Sequence, residues 1–75
     1  MTLETMRAGE TVEITGYKMG HPAYRAKLLA LGLTRGARIT LVNVAPLGDP
    51  VELEVRGFHL SLRKDEAAVL NVKAV

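Results

Sequence analysis

Two histidines, His21 and His59, the alternating carboxylates Glu52 and Glu54, and one serine, Ser61, are the side chains here whose types suit bond-making or metal-holding chemistry. The histidines lie far apart in sequence, one before a helix-like stretch and one on the polar side of a strand-like run. No pair sits at i, i+4 on a helix or at any spacing that forces ligands to converge, so the expected metal set is empty. Glu52 and Glu54 project on the same side of a strand, about 7 Å apart, a distance at which two carboxylates can flank a bond. General acid work also needs a pocket that raises one pKa, and the chain has little sequence left over to build one. The better expectation is a solvated strand face paired with Arg38 or Arg63. Ser61 lacks a strained elbow and a base. There is no cysteine to act as nucleophile, disulfide or thiolate ligand. No G-x-x-x-x-G-K-[ST] loop is present to cradle phosphate. Catalytic, cofactor-binding and metal residues are therefore all expected to be none, and the chain is not read as an enzyme.

The elements that carry these residues occupy most of the 75 positions. From Arg38 to Lys64 the run RITLVNVAPLGDPVELEVRGFHLSLRK contains three strand-like stretches separated by APLGDP and Arg56-Gly57. Val51, Leu53 and Val55 alternate with Glu52, Glu54 and Arg56, and Phe58, Leu60 and Leu62 alternate with His59, Ser61 and Arg63. Period two means one buried and one wet face. An earlier strand is expected over Glu10 to Tyr17 with Val12 and Ile14 inward, and a second over Ala37 to Ala45. A last strand is expected over Val69 to Lys73 with Leu70 and Val72 inward, after a helical turn at Arg63 to Ala67. Pro22 opens a helix over Pro22 to Leu31, with Tyr24, Leu28 and Leu31 on its inner face. Gly32 stops it, and Leu33 can fold back on its last turn. The nine residues before the first strand read as a leader packing Leu3 and Met6 loosely. The prediction is one domain over residues 1–75, mainly β: a small SH3-like five-stranded barrel with one inserted α-helix.

Composition narrows the function classes. A hydrophobic fraction of 48% supports a folded core at a length near the lower limit for one. The first residues carry Glu4, Arg7, Glu10 and Glu13 and no continuous apolar stretch, so neither a signal peptide nor membrane insertion is expected, and the compartment is read as cytoplasmic. Net charge is only +2, yet Ile14 to Gly48 holds no acid while Lys18, Arg25, Lys27, Arg35 and Arg38 are basic. One part of the surface is thus expected to be positive. With one Phe, two Tyr and no Trp, the aromatic platforms on which nucleic acid stacks are missing, so no nucleic acid is expected. Leu29 points roughly 100° from Leu28 on the helix. It is expected to join Leu33 and Tyr17 in an apolar patch rimmed by Arg25, Lys27 and Arg35, the anatomy of a modest protein-binding surface. Edge strands of so small a sheet also leave weak self-association open.

The run AYRAKLLALGL, a Gly-containing turn, VAPLGDPVE and RGFHLSLRKDEA, in this order and spacing, resembles the ferrous iron transport protein A (FeoA) family of bacteria. The resemblance runs from about Glu10 to Lys73 and departs at Arg35, where relatives often carry Pro. It implies an SH3-like barrel, also similar to the C-terminal domain of iron-dependent repressors, with no agreed metal ligands. It further implies a small cytoplasmic accessory of bacterial ferrous iron transport, whose partner is a membrane iron transporter bearing a cytoplasmic G-protein domain. Docking there, and modulation of that partner's assembly or nucleotide cycle, is the expected function. The competing expectation is a regulatory barrel that contacts nucleic acid or a transcription factor.

Overall fold

Alternation of apolar and polar residues resolves into five antiparallel strands in the computed structural model, which describes residues 6–75. The order along the chain is β1 (Thr11–Tyr17), α1 (Pro22–Ala30), β2 (Arg38–Val44), β3 (Val51–Val55), β4 (Phe58–Leu62), α2 (Lys64–Ala67) and β5 (Leu70–Ala74). Each lies within a residue or two of its expected place. In space the order is β4-β3-β2-β1-β5, leaving β4 and β5 at the edges. The ladders slip register between Ile14 and Gly16 in β1 and between Leu41 and Asn43 in β2. Such bulges increase local twist and coil the small sheet around its apolar face. The fold is the expected mainly-β, SH3-like one.

Val12, Ile14, Ile39, Leu41, Leu53, Leu62, Leu70 and Val72 fill the concave side. Burying each Leu or Ile contributes about 1.5–3 kcal/mol, which is where a chain without crosslinks finds its stability. Met6 is buried as expected; Leu3 lies outside the described residues.

The helix departs from its expected inner face. Among Tyr24, Leu28 and Leu31 only Leu28 is buried, and Leu31 remains 39% exposed. The cause is the way α1 ends. Leu31 caps it, Gly32 takes φ +85°, and the amides of Gly32 and Leu33 donate to the carbonyls of Leu29 and Leu28. This is a Schellman turn. It swings Leu33 onto Leu28, both fully buried, so Leu33 takes the core place that helical periodicity assigns to Leu31.

Phe58 is the second departure. Its partner across the ladder is Val55, and it opens an edge strand at the tip of a hairpin that extends past the core, leaving it 73% exposed. The two-residue turn joining β3 to β4 holds both central residues at positive φ, Arg56 at +52° and Gly57 at +82°. That geometry suits Asn-Gly. A long side chain at the first position carries a left-handed cost of about 1–2 kcal/mol. Arg56→Asn is expected to raise stability by roughly 0.5–1 kcal/mol, read as a higher urea midpoint with unchanged slope.

Candidate functional site

Pro22 starts α1 and the side chain of His21, its N-cap residue, makes no capping hydrogen bond, so the helix is held in place mainly by what its C-terminal half touches. Leu28 enters the core. Lys27 reaches the other way, its Nζ 2.6 Å from Glu66 Oε2 on α2. Glu66 is the one buried charged side chain among the described residues. Its second oxygen accepts the Arg63 amide at 3.0 Å, half of a capping box. The Lys27 hydrogen bond first, and the Arg63 amide second, hold the Glu66 carboxyl below the ordinary carboxylate range against burial, which pushes it up.

The structure therefore separates the six residues expected to form one contact patch. Leu29 is exposed at 42%, and Arg25 lies one turn before it. Arg25 stacks over the Tyr17 ring, 5.7 Å from its centroid, and the Tyr17 hydroxyl donates to the Leu33 carbonyl at 2.5 Å. The Arg35 guanidinium sits over Gly16. Tyr17, Arg25, Leu29 and Arg35 thus belong to the α1 flank beside the end of β1. Leu33 does not: it is core, and as an exposed anchor it is corrected. Lys27 is corrected as a free rim charge, since a buried carboxylate must be paired and Lys27 is its partner.

The residues weighed for chemistry are spread apart. His59 Nε2 lies 2.9 Å from Glu54 Oε2 across the β3–β4 ladder, so Glu54 pairs with His59 rather than with Arg38 or Arg63. His21 stacks on Tyr24 with ring centroids 6.0 Å apart. Among the described residues no three His, Asp or Glu side chains lie together as metal ligands. A shallow hollow of about 460 Å³ is lined by Lys18, His21, Tyr24, Asp65, Ala68 and Val69, and its charged groups are exposed.

A smaller hollow, unforeseen in the sequence, opens on the opposite flank of α1, where Leu31 meets Phe58 of the β3–β4 hairpin. The signal that could have found it is the position of Phe58 directly after a tight reversal, at the end of a strand with one neighbour.

Two substitutions separate core from contact. Leu33→Ala is expected to cost about 2–5 kcal/mol, measured by urea unfolding, where an exposed anchor would cost little. Lys27→Met leaves Glu66 buried without its cation. Because the folded-state pKa of Glu66 is lowered, its contribution is present above the ordinary carboxylate pKa and lost as pH falls through the lowered one. The stability gap between wild type and Lys27→Met should therefore be open at neutral pH and close on acidification through the carboxylate range; a gap independent of pH would refute the pairing.

Comparison with known proteins places this geometry in a family. Residues 1–74 match the FeoA domain. The whole chain is 32% identical over 75 residues to a Fe(2+) transport protein A/Fe(2+) transporter FeoB fusion protein of Porphyromonas gingivalis, covering 100% of this chain and 9% of that one. The chain thus spans under a tenth of that relative's length. It also matches the solution structure of the FeoA protein of Chlorobium tepidum with a TM-score of 0.88 and 39% identity, covering 100% of this chain and 70% of that one. A Stenotrophomonas maltophilia FeoA, described as a procaryotic SH3 domain protein, shares the fold at a TM-score of 0.83 and 24% identity, over 97% of this chain and 89% of that one. With nearly every residue inside the family match and the five-strand architecture in common, the chain belongs to the FeoA family.

Proposed function

We propose that this domain is a non-enzymatic accessory of ferrous iron uptake, which docks from the cytoplasm on a membrane iron transporter bearing a G-protein domain and modulates its assembly or nucleotide cycle. The observation that carries this reading is the Porphyromonas gingivalis relative, in which a FeoA-like sequence and a FeoB transporter share one polypeptide. Domains fused in one chain act at high effective concentration, and two separate chains of the same kinds need a docking surface to reach the same proximity. No helix among the described residues is long and apolar enough to cross a membrane, which fits attachment through a protein surface.

The α1 flank offers such a surface. Leu29 is its apolar anchor, Arg25 and Arg35 supply positive charge that steers encounter, and Tyr17 holds Arg25 in place beneath it.

The test is a binding titration of the purified, detergent-solubilised FeoB-type transporter with the wild-type domain and with Leu29→Asp. Saturable binding is expected, weakened about tenfold or more by Leu29→Asp. Absence of wild-type binding would sink the adaptor reading, and equal binding by both proteins would remove this flank from it.

A further inference from the structure

Between the C-terminal end of α1 and the β3–β4 hairpin lies an open hollow of about 240 Å³, lined by Ala30, Leu31, Gly32, Val55, Arg56 and Phe58. Its walls are aliphatic and aromatic, with buried Val55 between the exposed Leu31 and Phe58. The volume falls below the ~300 Å³ at which small-molecule sites begin, so the space suits one bulky side chain from a partner.

The lip of the hollow is cationic. Arg56 stands on it in a left-handed backbone conformation, with a 3.3 Å hydrogen bond to Thr34 Oγ1 as its polar contact. A residue kept in a costly conformation with so little internal compensation points to a role outside the fold. Arg56 is the one cationic residue lining the hollow, and it makes no ion pair among the described residues.

From this juxtaposition we propose that the hollow receives a bulky apolar side chain carried on an acidic segment of the transporter, with Arg56 reading the acidic charge. This rests on the adaptor reading and adds the chemistry of the docked segment. An unpaired arginine on the lip of an apolar seat complements a carboxylate beside an apolar residue. A nucleic acid would satisfy Arg56 but leave the aliphatic walls formed by Ala30, Leu31 and Val55 unfilled.

The experiment titrates the same solubilised transporter with the full chain as wild type, Phe58→Asp, Arg56→Asn and Leu47→Asp, each checked by circular dichroism and thermal unfolding. Leu47 is exposed on the distant β2–β3 loop and serves as the control. Phe58→Asp should weaken binding about tenfold or more, and Leu47→Asp should leave it within about twofold. Arg56→Asn is the decisive variant, because it should bind about threefold or more weakly while unfolding at a higher temperature, which no purely structural role of Arg56 explains. Wild-type affinity in both Phe58→Asp and Arg56→Asn would overturn the proposal and leave the adaptor reading standing; no binding by the wild type would overturn both. Capture of a single-stranded RNA oligonucleotide that Phe58→Asp abolishes, with transporter binding intact, would also overturn it by giving the surface to nucleic acid.

Discussion

Two main-chain hydrogen bonds at the end of α1, from the Gly32 and Leu33 amides to the Leu29 and Leu28 carbonyls, are the constraint on which the surface chemistry of this domain depends. A nine-residue helix with one buried side chain has too little intrinsic stability to stay formed alone. The turn that closes it returns Leu33 to the core, so the helix is anchored from both sides of its last turn. Tyr17 then holds the Leu33 carbonyl from β1, and Lys27 fastens the helix to α2 through Glu66. Once these contacts are made, Leu29 and Leu31 have no interior place left, and they emerge on opposite flanks of α1.

The strands were readable because period-two alternation reports which side of a ribbon a residue occupies. It does not report depth. Leu53 and Leu62 are core and Phe58 is not, although all three follow the same alternation, because Phe58 lies at the tip of an edge hairpin. Helical periodicity failed at Leu31 for a related reason: it extrapolates a face past the point where a left-handed glycine redirects the chain. The fold-back of Leu33 was visible in the Gly32-Leu33 pair, and that fold-back is incompatible with Leu33 as an exposed anchor. The Lys27–Glu66 bridge was illegible, since its partners are 39 residues apart and each reads singly as a solvated charge. Leu29, Arg25 and Arg35 were found as exposed positions, while the Leu31–Phe58 hollow needed the three-dimensional approach of two elements.

The same economy leaves the charged side chains of this domain mostly on its exterior. The concave face is filled by aliphatic side chains, and the single buried charge among the described residues is neutralised within the fold. Among the described residues the arginines make no ion pair, and Arg25 and Arg56 lie near exposed apolar residues. Electrostatic attraction of this kind speeds encounter and sets orientation, while the apolar seats determine how long a complex lasts.

The helical excursion between β1 and β2 owes its place to Leu28, Leu33 and a few polar clasps, whereas the strands share a continuous ladder. Such a segment opens at lower free energy than the sheet beneath it. Amide protons of α1 should accordingly exchange with solvent through a local opening while those of β2 and β3 wait for global unfolding. Anything that covers α1 would slow that opening and leave exchange from the central ladder of the sheet as it was.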